Sequence, residues 1–576
     1  MAEQSQNERP SIGSWIDSRT GYKGLLHETL FENVPGGARW RYVWGSTLSF
    51  FFVVQVITGV FLWMGYSPSS QTAWESVYYI QHQMLGGWFL RGLHHFVAQA
   101  MTVLLVLHLM QVIIDGAYKA PREMNFWFGV LLLILTLALS LTGYLLPWDQ
   151  NGYWSTAVTT NIVGMSPAVG QSLQTVLVGG VTYGHLTLTR FFALHAGVIP
   201  GVIIVLIVGH VYLFRKHGLT PKQPLKGPDQ GFWPEQVLRD AVACLAVLVV
   251  VLFFVVREQG APLGAPADPA EQFSAARPEW YFLFLYQFLK YFPGNTEIIG
   301  AIVLPTLGLL VLMAMPFLGR WKLGHRFNVG FMGAILVGAA LLTWQSLGED
   351  RRDPEYQVAK AVSKRDAARA VDLANAGVPI TGALTLMRDD PYTQGPRIFS
   401  RNCASCHRYD GHDGMGNALP KDSISASDLK GYGSREWLQG FLNADTILTT
   451  RYWGGTAHTE GDMTGWLGDH IPETDAEIAT RRNVVLALSA QAALPRQGAM
   501  DKKDSAQIAM GIAFMRNTTN GCAECHKFQD VGTDSPELDG WASREWMVAF
   551  VNDPSHPRFF GRDNDRMPSY GTEKSL

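Results

Sequence analysis

The sequence predicts a mainly α protein, a seven-helix transmembrane bundle followed by two small all-α domains. Three observations carry the prediction. Of 576 residues only 16% are charged while 47% are hydrophobic, and 18 are tryptophan. Apolar runs long enough to cross roughly 30 Å of hydrocarbon recur through the first part of the chain. Beyond residue 348 the chain turns polar and carries a Cys-x-x-Cys-His pattern twice. A net charge of −3 leaves no footprint for nucleic acid or an acidic substrate. Residues 1–40 are polar and mixed, with no cleavable export signal, so membrane entry rests on the internal helices.

The spans fall at 42–65, 92–114, 127–147, 192–214, 237–256, 298–317 and 328–347. The loops near 66–90 and 149–189 hold no Lys or Arg. Loop 115–126 holds Lys119 and Arg122, loop 215–236 holds Arg215, Lys216, Lys222 and Lys226, and loop 318–327 holds Arg320, Lys322 and Arg326. Basic loops stay cytoplasmic. The N-terminal segment is therefore expected inside, and everything after residue 348 outside.

Two histidine pairs sit within the second and fourth spans. His94 and His108 are 14 apart, His195 and His210 are 15 apart. At about 100° and 1.5 Å per residue, both intervals return the imidazole to nearly the same face, about 21–22 Å further along. A lone intramembrane histidine is commonly a packed or hydrogen-bonded residue. Four at matched spacings instead suit two metal centres, and ionisable groups inside a bilayer mark function. Iron haem with two axial imidazoles fits, making this a haem-binding bundle. The two helices run in the same direction, so His94 pairs with His195 at the outer level and His108 with His210 at the inner one. His95 lies 13 from His108 and points off that face.

The polar tail holds Cys403-Ala-Ser-Cys406-His407 and Cys522-Ala-Glu-Cys525-His526. Cys-x-x-Cys-His is the attachment site of covalent c-type haem, the thiols forming thioethers and the histidine binding iron. Two disulfides or a zinc site are the rivals; the histidine directly after each pair weakens zinc. Haem is attached on the outer side in bacteria, which matches the expected topology and a bacterial cytoplasmic (inner) membrane. Cys244, in the fifth span, reads as a packing residue. Ser434-Arg435-Glu436-Trp437 recurs as Ser543-Arg544-Glu545-Trp546, so the tail is read as two tandem domains, 391–498 and 503–576. Methionine is the common sixth ligand. Met567, followed by Pro568, is the candidate in the second copy; Met463 holds the equivalent place in the first, with Met415 as a rival and a plain surface methionine the other reading.

With these residues in view, the first 350 residues resemble cytochrome b of the quinol-oxidising cytochrome bc complexes, most closely the chloroplast type, its four-helix cytochrome b and three-helix subunit four joined in one chain. The resemblance rests on Arg91-Gly-Leu-His94, His108, Thr189-Arg190 before His195, and His210. It rests equally on Pro121-Arg122-Glu123, Gly143-Tyr144-Leu145-Leu146-Pro147-Trp148-Asp149-Gln150 and Pro278-Glu279-Trp280-Tyr281. Implied are two non-covalent b haems and a quinol/quinone substrate. Glu279 would accept a quinol proton, with Tyr281 and Tyr144 shaping the site. One electron would pass to a Rieske iron–sulfur protein and the other through the b haems to quinone on the inner side. No Cys-x-His-x-x-Cys exists here, so the Rieske protein is a separate chain. The two c haems would replace the cytochrome c subunit of relatives and feed a soluble cytochrome or a terminal oxidase. Relatives are two-fold dimers, so a homodimeric complex in membrane lipid is expected.

Within that resemblance, Gly45 and Gly59, and Gly129 and Gly143, are 14 apart in spans one and three, matching the histidine interval. Glycine lets a helix approach a flat macrocycle; helix–helix packing is the other use. Arg91 and Arg190 are candidate propionate partners, or snorkelling residues. Val43 stands where the chloroplast type tethers an extra haem by cysteine, so no covalent third membrane haem is expected. Gln111 replaces a basic residue, leaving Lys119 or Arg215 to serve the inner propionates. The organisation expected is a cytoplasmic segment 1–41, a haem core 42–235, a three-helix part 236–347, a connector 348–390 helical near 355–376, and the two c-type domains. Two other readings stand: a b/c-haem conduit without a quinol site, and a scaffold with degenerate sites.

Overall fold

A computed structural model describes residues 11–220, 227–420, 425–533, 536–564 and 566–571. Lys222 and Lys226, counted among the cytoplasmic charges, lie outside the described residues. The fold is mainly helical. Among the described residues, seven helices are long and apolar enough to cross a membrane: Trp40–Gly65, Gly87–Asp115, Glu123–Tyr144, His185–His217, Phe232–Arg257, Gly294–Leu318 and Lys322–Arg352. The two-residue strands Asn33–Val34 and Gln230–Gly231 pair antiparallel.

The chain divides into two compact units, 1–390 and 391–576. In the first, spans one and two pack side by side, as do three and four, and the fifth lies against one and two. The boundaries follow local chemistry. Span two runs between Gly86 and Gly116, both left-handed (φ 70° and 65°), and the Gly116 N–H closes the helix on Ile113 and Val112 carbonyls. The third span stops at Tyr144, three residues short of the expected end, because Pro147 forces the residue before it out of the helical region. Asp149 then caps a helix over Gln150–Gly164, its Oδ1 accepting the Gly152 N–H at 2.9 Å.

The fourth span carries the least regular feature. A wide, five-residue-bonded turn spans Leu194–Val198, with His195 inside it. Such a turn absorbs one extra residue. The interval of 15 in this span thus acts as the 14 of span two, which brings the two pairs into register.

The segment after span seven is more than a spacer. Asp353 caps a helix over Pro354–Ala374 by accepting the Glu355 and Tyr356 N–H groups at 3.0 and 3.2 Å, and a second helix covers Ala383–Asp389. Ala370, Ala374, Ala383 and Met387 pack on Trp74, Tyr78 and Ala265. Arg388 forms a two-pronged pair with Asp268, at 2.7 and 3.1 Å. The small alanines let the hairpin sit close on the loops it covers.

In the second unit, one apolar core runs through both copies of the repeat. Trp437, Leu438, Val484 and Leu488 share it with Met515, Phe528, Trp541 and Trp546. The helices Asp475–Gln491 and Ser505–Met515 pack on each other, and the Tyr432 and Trp437 rings both lie tilted against Trp541.

Candidate functional site

The bundle brings the four histidines together as two facing pairs. The His94 and His195 rings are 6.2 Å apart between centres, and His108 and His210 are 6.4 Å apart. Two metal–imidazole bonds of about 2 Å plus two ring radii of about 1.2 Å require close to that separation. Protonation is set from behind. His195 donates from Nδ1 to the Leu139 carbonyl at 3.0 Å, and His210 donates to the Asn125 carbonyl at 3.0 Å. Thr58 gives its own hydroxyl proton to the Val54 carbonyl, so its oxygen accepts from His94 Nδ1 at 2.8 Å. A proton held on Nδ1 leaves Nε2 free to face the partner ring. His108 Nδ1 is buried without such a partner among the described residues.

Each glycine backs one imidazole. A Cβ at Gly45 would meet His108 Cε1 at 3.5 Å, at Gly59 His94 at 3.3 Å, at Gly129 His210 at 3.4 Å, and at Gly143 His195 at 2.6 Å. The glycines therefore make room for the histidine rings themselves. The donor chemistry, the separation and the clearance all fit a haem between each pair.

Arg91 is placed differently from a free propionate partner. Its guanidinium donates to Gln81 Oε1 at 2.9 Å and to the carbonyls of Ala261 and Pro262 at 2.6 and 2.7 Å, tying the end of span two to the loop after span five. Arg190 is exposed, its Nη1 against Gly179. Gln111 and Arg41 both engage Asp115. Cys244 donates weakly to Thr47 Oγ1 at 3.9 Å.

Glu279, Tyr281, Tyr144 and Asp149 lie within electrostatic reach of one another. Burial, and then the negative charge of Asp149, hold the Glu279 carboxyl above the ordinary range. Burial and Glu279 likewise raise Tyr281. Asp149 is itself raised by burial, against the N–H groups of Gly152 and Gly264 that stabilise its charge. Backbone pairing of Gln150 N with Ala265 O and Ala267 N with Trp148 O, both 3.0 Å, fixes this carboxylate beside the loop that leads to Glu279.

In the tail, the repeat is structural as well as sequential. His407 donates from Nδ1 to Ser427 O at 2.8 Å, and His526 to Pro536 O at 3.0 Å. Trp437 Nε1 donates to Asp428 O, Trp546 Nε1 to Glu537 O, at 3.0 and 3.2 Å. With their protons on Nδ1, both rings present Nε2 as the acceptor nitrogen. Met463 opens the helix Asp462–Asp469 and packs against the shared core, while Asn564 holds the Met567 backbone. Met415 sits in a turn organised by Asp413.

Three contributors escaped the sequence reading. Thr58 and Thr142 each precede a glycine that backs a histidine, and the repeated Thr-Gly dipeptide was a signal available for both; Thr142 Oγ1 is 3.3 Å from His195 Nδ1. Gln99 accepts from Trp280 Nε1 at 3.2 Å and contacts His95 Nε2 at 2.8 Å. Because an indole only donates, the Gln99 amide nitrogen faces His95, which accepts. His95 thus supports the Glu279 loop instead of a metal.

Residues 32–218 match the family model described as cytochrome b/b6/petB, and residues 266–363 match cytochrome b(C-terminal)/b6/petD. Cytochrome b of Cereibacter sphaeroides is 34% identical over 306 residues, 50% of this chain and 68% of that protein. The menaquinol:cytochrome c reductase cytochrome b subunit of Bacillus subtilis (strain 168) is 37% identical over 217 residues, 36% of this chain and 97% of that one. A solved structure titled hyperthermophilic respiratory Complex III matches with TM-score 0.51 and 29% identity, covering 62% of this chain and 95% of that chain.

Proposed function

The chain belongs to the cytochrome b family, an integral membrane family that binds b-type haem, and from that premise we propose that it is the cytochrome b subunit of a quinol:cytochrome c oxidoreductase carrying its own dihaem c-type tail. The observation that carries the reading is the pair of facing imidazoles at two levels, with a partly buried carboxylate, Glu279, beside Asp149, Tyr144 and Tyr281. When bound, the haems would supply one-electron chemistry, the two b haems serving one quinol electron on its way to an inner-side quinone and the two c haems serving the other after a separate Rieske protein.

The chain's residues do the rest. His94, His195, His108 and His210 would hold the b haems, with Gly45, Gly59, Gly129 and Gly143 giving the rings clearance. Cys403, Cys406, Cys522 and Cys525 would hold the c haems covalently. His407 with Met463, and His526 with Met567, would bind the two c-haem irons. Arg190 is kept as a proposed partner for the outer haem's propionates, whereas the Arg91 guanidinium is engaged by Gln81 and the Ala261 and Pro262 carbonyls. Glu279 takes the quinol proton, Tyr144 and Tyr281 line its approach, and Asp149 keeps its affinity for the proton high. A base is useful when its pKa lies near the working pH, which a buried carboxylate beside a second carboxylate approaches.

The tail lies on the outer side of a bacterial cytoplasmic membrane by this reading, so quinol oxidation there adds to a proton gradient, and a soluble cytochrome or terminal oxidase takes the electrons. The complex is proposed to be homodimeric. The rival reading, a conduit without a quinol site, has no use for a carboxylate so placed. The test is Glu279→Gln in the purified complex, with a short-chain quinol analogue as reductant. Wild-type kcat/KM should rise with pH along a limb set by the raised carboxyl, because only the deprotonated form accepts a proton. The variant should lose that limb and turn over about 10²-fold slower or worse, with all haem bands unchanged. Unaltered turnover would refute the base.

A further inference from the structure

We propose that Arg277 and Asp350 are positioning residues for Glu279, and that the end of the seventh span grips both flanks of the Pro-Glu-Trp-Tyr loop. The inference rests on the reading of Glu279 as the quinol base.

Arg277 sits two residues before Glu279. Its guanidinium meets the Asp350 carboxylate through Nε at 3.1 and 3.2 Å and Nη2 at 2.8 Å. The side chains are 18% and 11% exposed. A half-buried two-pronged pair of this kind is directional and stronger than a surface pair. The Tyr356 and Tyr286 rings flank the same guanidinium, their centres 3.9 and 5.1 Å from its carbon. Arg277 is therefore fixed by a carboxylate and two aromatic faces at once.

The backbone carries that fixity to Glu279. A residue before proline is restricted to extended conformations, and Pro278 locks its own φ. Glu279 is extended (φ −55°, ψ 150°) and leads directly into the turn Trp280–Phe282. Three successive residues thus have little freedom, and an anchor at Arg277 is an anchor for Glu279. On the far flank, Gln287 and Lys290 donate to Glu349 at 2.9 and 3.0 Å, and Tyr291 to Gln345 at 2.8 Å. The Lys290 and Tyr291 contacts are exposed and individually weak, whereas Gln287 is buried. Gln345 and Glu349 lie one turn apart near the end of the seventh span, and Asp350 follows on the adjacent face.

The experiment uses the purified complex and a short-chain quinol analogue, with Arg277→Gln and Asp350→Asn made alone and in the Glu279→Gln background. Each single variant should lower kcat about tenfold with KM, haem content and oxidised-minus-reduced spectra unchanged. Arg277→Lys, which keeps charge but loses the fork, should fall between wild type and Arg277→Gln. If Arg277 acts only through Glu279, then Arg277→Gln should slow Glu279→Gln by less than twofold. A full tenfold loss in that background, or no loss in wild type, would overturn the proposal. If Arg277→Gln fails to accumulate, Asp350→Asn and Arg277→Lys decide by the same cycle. Failure of the underlying reading is distinct: Glu279→Gln alone would then leave turnover unchanged.

Discussion

At Gly143, a methyl group would meet the His195 ring at 2.6 Å, a distance no real Cβ holds; at Gly45 the corresponding approach to His108 is 3.5 Å, ordinary contact. Equal spacing in the sequence therefore conceals unequal tolerance. Gly143→Ala should displace His195 and cost the chain one extractable haem, while Gly45→Ala should keep both; difference spectra and haem extraction of the two variants check this. Loss at Gly45 with retention at Gly143 would contradict the placement. The facing histidines were legible because they recur at matched intervals of 14 and 15. Their supports were less so. Thr58 carried a local signal beside Gly59, but the Leu139 and Asn125 carbonyls that set the tautomers of His195 and His210 are backbone atoms, and no side chain advertises them.

The elements were legible where hydropathy alone defines them, and less so where two parts of the chain must meet. All seven spans lie where apolar length put them, with ends shifted by caps and by Pro147. The wide turn at Leu194–Val198 left one trace in the sequence, an interval of 15 against 14. It yields an element-scale prediction. Deleting Gly197 should collapse the turn to regular helix and keep both haems, because the interval becomes 14. Deleting one residue between His94 and His108 should rotate one ligand by about 100° and lose a haem. Haem content of membranes from the two deletions is the measurement; equal loss in both would contradict the account. The hairpin after span seven shows the opposite case. Its alanines and Met387 carry no periodic signal strong enough to show that Trp74 and Tyr78, some 300 residues earlier, are their partners. The grip of Asp350 on Arg277, 73 residues apart, is of the same kind.

At the scale of the molecule, the composition break near residue 348 marked a change in solvent, while the compact units divide at 390 because the hairpin packs with the membrane part. Family models match residues 32–218 and 266–363, so the tail's chemistry rests on its own motifs. The two copies of the repeat share one apolar core, which the repeated Ser-Arg-Glu-Trp hinted at without revealing that both tryptophans, Trp437 and Trp546, enter it. The most direct test of the whole is haem stoichiometry of the purified chain, by pyridine haemochrome before and after acid-acetone extraction. Two extractable haems and two that stay with the polypeptide are predicted; fewer than two extractable haems would mean that the facing imidazoles do not both grip iron.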